Sequence, residues 1–112
     1  MNDMERKRIE DAIAAFMEKR RPAVDVRHEI DHNYCFDGKS IEIFSGRVGF
    51  EPDQWVEEAI AKARYVKERE LWLVYWNRAD QKWHKYDPVP EVRTVAAFLK
   101  VVDEDEYCCF FG

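Results

Sequence analysis

The sequence predicts an α+β domain: an N-terminal helix, a five-stranded antiparallel sheet in meander order, and a C-terminal helix, with the helices packed on one face. Three observations carry that prediction. Apolar residues recur at helical spacing near both ends of the chain. From Val24 to Phe36 the side chains alternate, with Val24, Val26, His28, Ile30, His32, Tyr34 and Phe36 in one set and polar residues and Cys35 in the other, the period of a strand with one wet face. The segment Leu71 to Tyr86, LWLVYWNRADQKWHKY, holds three of the four tryptophans. Aromatic residues are the largest apolar units available, so the core is expected to assemble around it.

In chain order, residues 4–20 read as a helix whose stripe is Ile9, Ala12, Ile13, Phe16 and Met17. Asn2 or Asp3 can cap it, and Lys19, Arg20 and Arg21 suit the negative end of its dipole. The residue before a proline avoids helical backbone, so Pro22 ends it. The sheet is expected over residues 24–86. Asp37-Gly38 is a hairpin signal between the alternating strand and its return, Ser40 to Ser45. Gly46, Gly49 and Pro52 punctuate a loop. Trp55, Val56, Ala59, Ile60 and Ala63 fit helical spacing, which suggests a short helical turn at 53–58 and a strand from about Ile60 to Lys67. Leu71 to Trp76 reads as a strand buried on both faces, Asn77 to Gln81 as a turn, and Trp83 to Tyr86 as the returning strand, stopped by Pro88 and Pro90. A helix follows over residues 91–102, lined by Val92, Val95, Ala96, Leu99 and Val102, and acidic residues from Asp103 should end it. The tail, residues 107–112, is too apolar to float free and should fold back on the core or meet another subunit.

At 112 residues the chain makes a single domain, large enough to bury a core without metal or disulfide staples. Three cysteines, two of them adjacent, make no disulfide framework, which fits a reducing cytoplasm. No apolar run approaches the roughly 20 residues of a membrane span, and the N-terminus lacks the apolar core of a secretory signal. The formal net charge of −5 argues against general affinity for nucleic acid. Residues 62–87 nevertheless carry seven basic and four acidic side chains, so the charge is unevenly spread. That asymmetry reads either as a solvated strand surface or as a polar binding face.

The combination of SIEIF at Ser40 to Phe44, AKARYVK at Ala61 to Lys67, YWNRADQKWHKY at Tyr75 to Tyr86 and VDEDEYCCFFG at Val102 to Gly112 resembles a family of short bacterial proteins. This is domain-of-unknown-function family 3024, with the signature Trp-x-Arg-Ala-Asp-x-Lys-Trp-His-x-Tyr. The resemblance covers the chain from about Val24 onward. It implies a bacterial origin and a strand at Ala61 to Lys67, and it brings no activity to transfer.

The residues themselves suggest little chemistry. His28 and His32, four apart on one strand, would lie about 13 Å apart, too far to share one ion, so no metal or other cofactor is expected. Adjacent cysteines such as Cys108 and Cys109 do not close an unstrained disulfide. No phosphate loop, nucleophile elbow or zinc-protease motif occurs, and no catalytic residue is named. The candidate ligand-binding residues are Lys62, Arg64, Trp76, Arg78, Asp80, Lys82, Trp83 and His84. Structurally, Asp80 would close the turn while Arg78 pairs with it or stacks on a tryptophan. Functionally, the set could form a surface for an anionic ligand or single-stranded nucleic acid. The expected function is a non-catalytic interaction or binding module, the alternative being such a binder working through the 71–86 hairpin. A protein partner or a homodimer through Tyr107 to Gly112 is considered, nucleic acid is not favoured, and no membrane is expected.

Overall fold

A computed structural model of the chain describes residues 2–51, 53–106 and 109–110. Pro52 and the tail residues Tyr107, Cys108, Phe111 and Gly112 lie outside them, and with them most of what was expected of the tail and of the Cys108-Cys109 pair. The architecture is the α+β arrangement that the sequence predicts. A helix, α1 (Asp3–Arg20), leads through a single 3-10 turn (Val24–Val26) into β1 (Ile30–Phe36), β2 (Ser40–Val48), β3 (Trp55–Val66), β4 (Leu71–Asn77), β5 (Trp83–Lys85), β6 (Glu91–Val92) and the closing helix α2 (Val95–Glu104). The strands run antiparallel in the order β1-β2-β3-β4-β5, with β6 added beside β4.

Local chemistry sets most boundaries. The Asn2 side chain accepts the Glu5 N–H at 2.8 Å and starts α1, supplying an acceptor to one of the orphan donors of a first helical turn. The Asp37 carboxylate accepts the N–H groups of both Lys39 and Ser40 while Gly38 takes φ +93°, and this closes the β1–β2 hairpin. Those two bonds hold the Asp37 carboxyl below its ordinary pKa. Thr94 caps α2 by accepting the Ala97 N–H.

Three boundaries differ from the sequence prediction, each because a strand needs a partner as well as a pattern. The alternation from Val24 does not become a strand until Ile30. Register pairs Ile30 with Arg47, and β2 ends one residue later, so nothing remains for residues 24–28 to pair with. They turn locally instead, Val26 N–H bonding to the Ala23 carbonyl and Glu29 N–H to the Val26 carbonyl. His28 therefore lies in a turn, beside Glu29, and not on the strand that carries His32. The helical turn expected at 53–58 is absent; β3 is extended from Trp55. Its register slips by one residue, Ile43 facing Ala61 and Phe44 facing Ala59, so Ile60 is a bulge. One inserted residue breaks a period of two and leaves apolar spacings that mimic a helix. Finally, the second helix begins at Val95 rather than 91. Glu91 and Val92 pair with Leu73 and Trp72 instead, and Pro90 lends its carbonyl to the Val74 N–H at 3.0 Å. Prolines 88 and 90 interrupt the edge without ending it, and β5 and β6 share the length of β4.

Both helices cover one face of the sheet. Ile13, Phe16 and Met17 of α1 and Val95, Phe98, Leu99 and Val102 of α2 join Ile41, Ile43, Ala61, Ala63, Trp72 and Val74 in one buried cluster. Trp72 is 3% exposed and packs on Tyr65 with ring centroids 5.0 Å apart. At the end of the two helices Arg20 donates to both the carboxylate and the backbone carbonyl of Asp103, and Lys19 adds a third bond. The described part of the tail folds back: Phe110 is buried against Tyr86, centroids 4.8 Å apart, and its N–H is held by the Asp105 carboxylate at 2.9 Å.

The opposite face has no helix over it. Of Leu71, Leu73 and Tyr75, expected under a second layer, Leu71 at the start of the strand is buried, whereas Leu73 and Tyr75 are only half-buried. Trp72→Ala should therefore cost about 3–5 kcal/mol, the usual range for a deleted core tryptophan, and Trp83→Ala on the helix-free face clearly less. Urea melts of both variants check this; equal losses would mean that the second face is covered as well.

Candidate functional site

Because cross-strand partners share a face, register sorts the eight candidate residues. Ala61 and Ala63 lie in the core beneath the helices, so their neighbours Lys62 and Arg64 point the other way. Lys62 faces Tyr75, and Tyr75 faces Lys85. Trp83, two residues before Lys85, shares their side, and the Lys62 ammonium stands 5.8 Å from its ring. Trp76 pairs with Ala61 and His84 with Trp76, which puts that pair on the helix side. The structure brings Lys62, Arg64 and Trp83 together and separates them from Trp76 and His84.

Arg78, Asp80 and Lys82 form the tip of the β4–β5 hairpin. Arg78 stacks its guanidinium 5.3 Å over Trp76, the stacking alternative of the two expected for it. Asp80 closes the turn as expected: one carboxylate oxygen accepts the Lys82 N–H at 3.0 Å, and the other lies 2.8 Å from His84 Nε2. The bond from His84, and then that from Lys82, holds the Asp80 carboxyl below its ordinary pKa. The turn also places Gln81 in left-handed backbone at φ 63°. Asn77, the last residue of β4, donates through Nδ2 to the carbonyl of Ala59 next to the bulge. Arg64 and Arg78 do not converge on one concavity. Arg64 borders a cleft with Arg6, Asp37, Lys39 and Lys67, whereas Arg78 borders one with Glu58, Asn77, Cys109 and Phe110.

What the register does assemble is a helix-free platform. One row runs Glu42, Lys62, Tyr75, Lys85 across four strands, and the next holds Phe44, Ala59, Asn77 and Trp83. A third runs Ser40, Arg64, Leu73, Glu91. Lys62 lies 3.8 Å from Glu42, and Glu91 is held by Arg69. Sequence reasoning missed Glu42, Phe44, Leu73, Tyr75 and Lys85. Their strands were legible, but which side the helices take depends on register across four strands.

One of the two edges of the sheet, β1, is partly closed to pairing. The N–H groups of His32 and Tyr34 point away from β2, and the side chains of Asp31 and Asn33 accept them at 2.8 and 2.9 Å. Arg21, just past α1, clamps Asp31 with two further bonds of 2.9 and 2.6 Å. That clamp lowers the Asp31 pKa to about 2, and burial lowers that of His32. Edge donors satisfied in this way are poor templates for another strand.

Among the described residues no three His, Cys, Asp or Glu side chains group as metal ligands, and no helix is long and apolar enough to cross a membrane. A model for a domain of unknown function, DUF3024, matches residues 1–112, and the chain belongs to that family. No curated protein and no solved structure matches it.

Two predictions follow from the geometry. A carboxyl with a depressed pKa contributes stability that is fully present above its unfolded value, about 3.9, and is lost as pH falls through the folded value. Asp31→Asn should therefore be less stable than the parent at neutral pH, and the gap should close as pH falls towards 2, as denaturant melts across that range would register. Asp80→Ala should lower the melting temperature while keeping the fold. Asp80→Asn, which keeps an acceptor for the Lys82 N–H, should recover part of the loss; identical behaviour of the two would count against the turn-closing role.

Proposed function

We propose that this chain is a non-catalytic interaction or binding module whose binding surface is the helix-free face of the sheet. The observation that carries the reading is the platform itself: Phe44, Leu73, Tyr75 and Trp83 lie among Lys62, Arg64 and Lys85 on strands fixed from behind by a packed core. Large amphipathic side chains on a rigid support lose little entropy when a partner covers them. The one His–carboxylate pair at the hairpin tip, Asp80 with His84, is already engaged in closing its turn. In this reading the protein works in the bacterial cytoplasm, where exposed Cys35 stays reduced.

A second reading has a specific observation in its favour. Lys62 over Trp83, with Arg64 next along β3 and no ion pair to it among the described residues, matches the stacking-plus-cation chemistry of single-strand binders. The formal charge of −5 works against it, since phosphate contacts dominate such affinity.

A photo-crosslinking amino acid at the Lys85 position, introduced in living cells, tests both. A discrete adduct is expected from Lys85 and none from Lys100 on the outer side of α2. Adducts from Lys100 alone, or from neither, would overturn the proposal. A nuclease-sensitive adduct would favour the second reading, as would retention of a labelled single-stranded oligothymidylate at about 0.15 M salt that disappears in a folded Lys62→Ala protein.

A further inference from the structure

We infer that the helix-free face pairs with the same face of a second copy of this chain, about a two-fold axis running along the strands between β3 and β4. The inference rests on the proposal that this face is the binding surface, and it names the partner. Two-fold pairing requires a patch to complement itself, and the rows of the platform do. Such an axis exchanges β2 with β5 and β3 with β4. In the first row, Glu42, Lys62, Tyr75, Lys85, it sets Glu42 against Lys85 of the second copy and Lys62 against its Tyr75, and each contact occurs twice. In the second row Phe44 meets Trp83, while between them the short side chains of Ala59 and Asn77 meet each other. In the third row Ser40 meets Glu91 and Arg64 meets Leu73. Across the three rows no like charges are opposed.

Independent features point the same way. Of the two edges through which the sheet could add another strand, the one at β1 is obstructed by the Asp31 and Asn33 side chains, and the other is divided between the short strands β5 and β6. The apolar tail, the other surface considered, has its described aromatic, Phe110, buried in its own core. Lys85 has no ion pair among the described residues, so the partner's Glu42 would be its first. The geometry is that of an aligned sandwich, in which two sheets stack about 10 Å apart with strands within about 30° of parallel. A Glu and a Lys side chain reaching from opposite sheets span that gap.

A charge exchange decides it. Sedimentation equilibrium should show the full-length wild type as a dimer. Lys85→Glu and Glu42→Lys, each checked for an unchanged fold by circular dichroism, should each weaken dimerisation by about tenfold or more, since each places like charges in opposition twice. The double variant Glu42→Lys/Lys85→Glu restores opposite charges at both contacts and should recover the dimer. A monomeric wild type would overturn the inference, as would a dimer indifferent to both single changes or a double variant that fails to recover. These results are separable from failure of the binding-module proposal. A wild-type monomer that still crosslinks from Lys85 to a different protein loses only the self-pairing, whereas a monomer with no adduct from that face loses both.

Discussion

The rest of the structure depends on how the centre of the sheet meets its helices. Ala61 and Ala63, both fully buried on β3, lie between Ile41 and Ile43 on one side and Val74 and Trp76 on the other. Small residues at the middle of a sheet leave volume above them, and a close-packed interior requires that volume to be filled. Phe16 of α1 and Phe98 of α2 belong to the same buried cluster and bring bulk to this face of the sheet. Bringing both helices to this one face commits the chain to two layers, and the commitment leaves the other face of every strand without a covering element.

That asymmetry links energetics to function. A deep core on one side holds strands in fixed register, and register fixes which side chains stand together on the other side. The bulge at Ile60 is part of the same coupling. It lets β3 follow β2 for nine paired positions while keeping Ala61 and Ala63 on the core side. It also brings the Ala59 carbonyl within reach of Asn77, tying the start of the β4–β5 turn to the sheet.

Charge is used differently in different places. Asp103 gathers Lys19 and Arg20 to join the ends of the two helices, where cations also suit the exposed carbonyls of α2. The Arg21–Asp31 clamp braces the β1 edge of the sheet. The Asp80–His84 bond folds the hairpin tip. Three contacts that a sequence reader could take for chemistry are structural fasteners. On the helix-free face, one row carries an acid, Glu42, at one end and a base, Lys85, at the other.

By itself the sequence determined the α+β class, the meander order, α1 with a cap at Asn2 or Asp3, the Asp37-Gly38 hairpin and the aromatic β4–β5 hairpin. Each of these rests on interactions within a few residues or on one unbroken period, which is information that a linear chain carries. It also assigned Asp80 its turn-closing role, because both partners lie close in sequence, and left Arg78 between pairing with Asp80 and the stack on a tryptophan that the structure shows. Where β1 begins, that residues 53–58 extend a strand, and that Glu91–Val92 pair with β4 before α2 starts were decided only by tertiary structure. In each case an extended segment exists only where another strand offers it hydrogen bonds. The division of the candidate residues, Lys62, Arg64 and Trp83 on one face and Trp76 and His84 on the other, is of the same kind. Alternation shows that a strand has two faces; only packing across the whole sheet decides which of them meets the helices and which is left to meet something else.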